Sequence, residues 1–115
     1  MKLICYKKCG TCRQVEKILS DKSIPYEYRH IDQENPTVEE LQKWHKISGL
    51  DIKKFFNTSG LLYKEMNLKD KLKDMTLEEK IELLSTNGLL VKRPILIDDE
   101  KIFVGADVKK FVEGI

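Results

Sequence analysis

Apolar positions near the start of the chain switch from a strand-like run to helical spacing and back. Leu3-Ile4-Cys5-Tyr6 reads as a short buried strand, and Cys12, Val15, Ile18 and Leu19 then recur on one face of a helix over residues 12–20. Pro25 marks a turn, after which Tyr26 to Asp32 alternates as a second strand. A strand, helix and strand of these lengths imply parallel strands joined by a right-handed crossover.

The next break is Asn35-Pro36-Thr37, and the pattern becomes purely helical. A helix over residues 37–48 places Val38, Leu41, Trp44 and His45 on one stripe, with Gly49 as its C-terminal cap. Asp51 is placed to cap a short helix carrying Ile52, Phe55 and Phe56, and Asn57-Thr58-Ser59-Gly60 is a turn leading into Leu61-Leu62-Tyr63. Lys69 to Asp74 alternates in sign as a solvated face, with Leu68, Leu72 and Met75 opposite. Thr76 and Glu79 form a capping-box pattern ahead of Ile81, Leu83 and Leu84, and Asn87-Gly88 is expected to end that helix. Strand patterning returns at Ile95-Leu96-Ile97, followed by the turn Asp98-Asp99-Glu100 and by Lys101-Ile102-Phe103-Val104, which predicts a hairpin. Gly105 ends the hairpin, and Asp107 is expected to open a last helix with Val108, Phe111 and Val112.

The predicted fold class is therefore α/β: a thioredoxin-like mixed four-stranded sheet with an all-helical insertion at about residues 33–90, between the second and third strands. Residues 1–115 are read as one domain without repeats or low-complexity linkers. In this plan the first helix starts at the sheet's edge, beside the loop before the third strand, where Arg93-Pro94 lies.

Composition narrows the function classes. With 41% hydrophobic and 35% charged residues, the 115-residue chain is expected to bury a core of its own. Its 21 basic and 19 acidic residues interleave to a net charge of +2, so direct nucleic-acid binding is not expected. No apolar run approaches the roughly 18 residues of a membrane span, and the first residues read as a strand rather than a signal peptide. The chain is accordingly expected to be cytoplasmic, monomeric and free of membrane contact. Three cysteines cannot all pair, which argues against a secreted disulfide scaffold.

The chemistry concentrates at Cys9-Gly10-Thr11-Cys12, a CxxC loop between the first strand and first helix. Unpaired backbone N–H groups at a helix start favour an anion, and Lys7, Lys8 and Arg13 flank the loop, so Cys9 is predicted to be an ionised nucleophile. Cys12, one turn in and less exposed, suits a resolving thiol that closes a redox disulfide with Cys9. Cys5 reads as a small buried hydrophobe within its strand. A zinc site from Cys5, Cys9 and Cys12 with His30 or His45 is disfavoured, because a lone CxxC is half of a structural site. No metal is expected.

These residues resemble the arsenate reductase and Spx group of thioredoxin-fold proteins over nearly the full length. The resemblance rests on Cys9-Gly10-Thr11-Cys12, Phe56-Asn57-Thr58-Ser59-Gly60 with Tyr63, Lys92-Arg93-Pro94-Ile95, and Val104-Gly105. It implies that Cys9 is the reacting thiol, that Pro94 is cis, and that Arg93 points at the sulfur to bind an oxyanion or stabilise the thiolate. Lys53, Gly10, Thr11 and Pro94 would line the substrate position, whereas Asn57, Thr58 and Tyr63 read as structural. The glutaredoxin-coupled arsenate reductases use three arginines around the cysteine. Here only Arg13, Arg29 and Arg93 exist; Lys53 stands nearest the first family position, and no arginine lies near Val104-Gly105-Ala106.

Two functional classes follow from the resemblance. One is a thiol-disulfide oxidoreductase without a bound cofactor, acting on an anionic or disulfide substrate and recharged by an external thiol such as thioredoxin, glutaredoxin or glutathione. The other is an Spx-like redox-sensing regulator that binds the C-terminal domain of the RNA polymerase α subunit through a surface near Gly49.

Overall fold

The computed structural model describes residues 1–115. Four short strands build the sheet: β1 (Lys2–Cys5), β2 (Glu27–His30), β3 (Ile95–Asp98) and β4 (Lys101–Val104), in the order β2-β1-β3-β4. β1 runs parallel to β2, with Cys5 opposite His30, and antiparallel to β3, with Leu3 opposite Leu96. β3 and β4 form the predicted antiparallel hairpin, turned by Asp99 at φ 55. This is the thioredoxin-like arrangement. One detail differs: α1 (Gly10–Asp21) leaves the carboxyl end of β1, which is an interior strand, so the CxxC loop sits at a strand end and not at a lateral edge.

Alternation along β1 splits the core in two. Leu3 and Cys5 face α1 and α6 (Ala106–Glu113), packing with Cys12, Val15, Leu19, Val108 and Val112. Ile4 faces the other way, into a larger cluster with Trp44, Phe55, Phe56 and Leu84 from the insertion. Side chains on successive strand residues point to opposite faces, so both layers are specified by one four-residue segment.

The insertion between β2 and β3 holds α2 (Val38–Ser48), α3 (Leu61–Glu65), α4 (Leu68–Lys71) and α5 (Leu77–Leu84), with 3-10 turns following α2, α4 and α5. Capping boxes start the two longest: Thr37 with Glu40 on α2, and Thr76 with Glu79 on α5. Gly49 closes α2 at φ 68, as predicted. Asn87-Gly88 does not close α5; Ser85 does, and Asn87 instead caps a 3-10 turn over Gly88–Leu90. Gly88 is needed because its Cα lies against the Ile31 carbonyl, where a Cβ would collide. α6 likewise starts one residue early, at Ala106, because Gly105 leaves β4 at φ 65, a backbone angle that side chains disfavour. A bridge between Phe56 and Val91, with the Lys92 amide donating to the Phe55 carbonyl at 2.7 Å, clips the insertion to the segment that carries Arg93.

Candidate functional site

Cys9 occupies the N-cap of the twelve-residue α1, and its amide donates to the Tyr6 carbonyl at 3.0 Å to close the turn after β1. Its thiol is half-buried, whereas Cys12 and Cys5 are wholly inaccessible, and all three are free. The less exposed position predicted for Cys12 is therefore observed. Cys5 and Cys12 come from facing elements, β1 and α1, and share one buried cluster with Cys9 packed at its rim.

The charge distribution over this cluster differs from the sequence expectation. Cys12 is pulled down to about 7, first by the neighbouring Cys5 thiol, and also by the Tyr6 amide, the Cys9 thiol and Arg93, all against its burial. Cys9 is pushed up, chiefly by burial and also by the neighbouring Cys12 sulfur, although the Cys12 amide and Arg93 oppose this. Cys5 is raised too, by its Cys12 neighbour and by burial. The helix start does favour an anion at Cys9, but burial and the neighbouring Cys12 sulfur favour the protonated thiol. The ionisation of Cys9 and Cys12 is thus coupled and belongs to the pair.

Arg93 precedes a cis peptide bond to Pro94, as the resemblance implied. Its Nη1 donates to the Leu89 carbonyl at 3.2 Å and the Val91 carbonyl at 3.4 Å, and its guanidinium carbon lies 4.9 Å from the centre of the Tyr6 ring. The side chain is held by carbonyls and ring while its charge stabilises anions on both Cys9 and Cys12. Two of the flanking cations, Lys7 and Arg13, are engaged elsewhere. Lys7 sits 4.3 Å over the Tyr28 ring and 3.8 Å from Glu16, while Arg13 Nε donates to the Lys7 carbonyl at 3.1 Å. Arg29 is committed to Glu40, with paired contacts of 2.6 and 2.9 Å.

The other predicted residues divide. Thr11 lines an open cleft of about 440 Å³ together with Gln14, Lys92, Arg93, Lys109 and Lys110. Gly10 is exposed, with open space where a Cβ would stand, so it leaves the approach to the loop unobstructed. Pro94 is buried, and its carbonyl accepts from the Gly105 amide at 2.8 Å. Lys53 does not line the cleft that holds Arg93; it lines a neighbouring one of about 390 Å³ with Asp51, Lys54 and Lys92, the last of which borders both. Tyr63 is buried edge-on to Phe56, and Asn57 receives the Ser59 hydroxyl within its own turn, in keeping with structural parts.

A family model described as the ArsC family matches residues 5–113. The chain belongs to the ArsC family. Within reach of this ArsC chain in sequence is the uncharacterized Bacillus subtilis protein YusI, 47% identical over 95% of this chain and 92% of that one. The Bacillus subtilis regulatory protein MgsR is 33% identical over 87% of this chain and 78% of its own. Among solved structures, an ArsC family related protein from Bacteroides fragilis superposes with a TM-score of 0.89, at 46% identity over 96% of this chain and 95% of that one.

Sequence reasoning alone does not single out two site residues of this ArsC chain: Cys5 as the buried neighbour of Cys12, and Tyr6 as the platform under Arg93. A signal exists for the first. Leu3 and Cys5 lie two apart on a strand and Cys12 faces inward on the following helix, so both sulfurs are bound for the same layer.

Proposed function

We propose that this ArsC-family chain is a thiol-disulfide oxidoreductase in which Cys9 attacks and Cys12 acts first as base and then as resolving thiol. The observation that carries the reading is the half-exposed Cys9 thiol at the N-cap of α1, packed against a cluster that holds the wholly buried Cys12. Only Cys9 is open to an external disulfide, and only Cys12 is readily ionised.

The sequence of steps balances. As the Cys9 proton passes to the Cys12 thiolate, the Cys9 sulfur attacks one sulfur of the substrate disulfide and expels the other as a thiolate, leaving a mixed disulfide. The expelled thiolate takes the proton back from Cys12. Cys12 then attacks the Cys9 sulfur, releases the second substrate thiolate and forms an internal disulfide, so two electrons pass from protein to substrate. An external thioredoxin-type dithiol returns them. Arg93 stabilises each sulfur anion as it forms and offers a cation to a negatively charged substrate. The absence of further arginines at this site disfavours arsenate as that substrate.

Mild oxidation of the purified protein tests this. Loss of two hydrogens with a Cys9–Cys12 linkage in the peptide map, reversed by thioredoxin, is expected; two thiols that stay reduced would overturn it.

The likeness to the regulatory protein MgsR and to the global transcriptional regulator Spx favours a second reading, the Spx-like one in which a redox-sensing regulator engages the α subunit of RNA polymerase. Gly49 needs no such partner, since its left-handed backbone closes α2. Stable capture of the C-terminal domain of that polymerase α chain, changing with oxidation, would favour the regulator; turnover without capture favours the enzyme.

A further inference from the structure

Charge is unevenly spread over this nearly neutral chain. Four clefts join through shared lining residues. The first, of about 440 Å³, opens at Thr11 and Arg93 beside the CxxC loop. It meets the second, of about 240 Å³, at Lys92 and Gly105; the second meets the third, of about 390 Å³, at Lys54. The third joins the last, of about 150 Å³, at Lys53 and Phe56, and that one lies among Lys69, Lys73 and Lys80 of the insertion. Nine of the 21 basic residues line this track against three of the 19 acidic ones. Of the nine, only Lys73 and Lys109 have a carboxylate within reach, Asp70 at 3.7 Å and Glu113 at 4.0 Å.

The segment that reads as an alternating solvated face contributes to this segregation. Lys69 and Lys73 are four apart and share a side, and they line the last cleft while Asp70 and Asp74 do not. Cations gathered without partners repel one another and attract a negative chain.

We infer that the track holds an extended acidic segment of a protein substrate, whose oxidised cysteine it delivers to Cys9; this rests on the thiol-exchange reading above. A polypeptide fits for two reasons. The track ends at sulfur chemistry, which requires a sulfur-bearing partner. The aromatic residues along it, Phe56 and Tyr63, are 1% and 6% exposed, so no platform for stacking bases is offered. The molecule is 44 Å in its longest dimension, and about ten extended residues at roughly 3.3 Å each span most of it.

The test uses peptides of about twelve residues, each with one cysteine activated as a 2-pyridyl disulfide and otherwise rich in Asp/Glu, Asn/Gln or Lys. Release of thiopyridone on mixing with the reduced protein reads the rate. The acidic peptide is expected to react about tenfold faster than the neutral one at low salt, and to lose that advantage at roughly 0.5 M salt. The triple variant Lys69→Glu, Lys73→Glu, Lys80→Glu is expected to abolish the advantage while attack on uncharged 2,2′-dithiodipyridine is unchanged. The milder pair Lys69→Gln, Lys73→Gln, which reverses no charge, is expected to reduce it. Equal rates for acidic and lysine-rich peptides, or a full advantage in both variants, would overturn the track. Failure to attack dithiodipyridine would instead overturn the thiol-exchange reading beneath it. A single-stranded oligonucleotide of equal charge that blocks the acidic peptide better than its Ser-for-Cys analogue does would overturn the polypeptide assignment.

Discussion

The Cys5 side chain on β1 and the Cys12 side chain on α1 lie in one buried cluster, and neither is reached by solvent. The Cys5 neighbour is the largest single cause of the lowered Cys12 ionisation. It makes a buried strand residue part of how the CxxC loop holds charge.

Replacement Cys5→Ala should therefore move thiol ionisation without disturbing the fold. The Cys12 ionisation, read as thiolate absorbance against pH, is expected to climb from about 7 toward the ordinary cysteine value of about 8.5. An unshifted profile with an unchanged melting temperature would show that Cys5 only fills space.

Arg93 should not be replaceable by lysine. A lysine carries the charge but cannot bridge the Leu89 and Val91 carbonyls while stacked on Tyr6. Arg93→Lys is expected to slow alkylation at pH 7 by about threefold and Arg93→Met by about tenfold, through upward shifts of both thiols. Stopped-flow alkylation reads both effects.

The Arg29–Glu40 pair supplies a pH-dependent contribution to stability. Hydrogen bonds from Arg29 hold the Glu40 carboxyl below the usual carboxylate range, and the Thr37 amide adds to this. A carboxyl lowered in the folded state stabilises the fold above its unfolded value of about 4.3 and loses that contribution as pH falls through the folded value. Glu40→Gln is expected to cost about 1 kcal/mol at pH 7, after screening of a partly exposed pair. Urea melts of the two proteins should converge as pH falls through the lowered folded value of Glu40.

Gly88→Ala is expected to destabilise by roughly 2–3 kcal/mol, because the added methyl meets backbone that cannot rotate aside. Denaturant unfolding measures this. A loss under about 0.5 kcal/mol would show that the Ile31 segment yields.

Most of the fold is legible in sequence because its signals are local. The Thr76 and Glu79 pair, the left-handed Gly49 and the alternation of Ile95 to Ile97 each declare an element through neighbouring residues. Sequence and structure part where a distant contact decides. Gly88 reads as a helix stop, yet it answers to the Ile31 carbonyl, 57 positions away in sequence. The site divides along the same line. Spacing marks Cys9 and Cys12, but which sulfur carries the charge depends on Cys5 and Arg93, brought in from a strand and a loop that packing sets beside the helix. The direction of a long side chain, such as Lys7 over Tyr28 and away from the thiols, is likewise invisible to spacing.

The coupled thiol pair is tested most directly by alkylation against pH, with the modified residue located by mass spectrometry, in wild type and in Cys12→Ser. The label is expected on Cys9, and its profile is expected to move to lower pH in Cys12→Ser, because the upward push of the neighbouring Cys12 sulfur on Cys9 is removed. First labelling of Cys12, or a Cys9 midpoint that Cys12→Ser leaves in place, would contradict it.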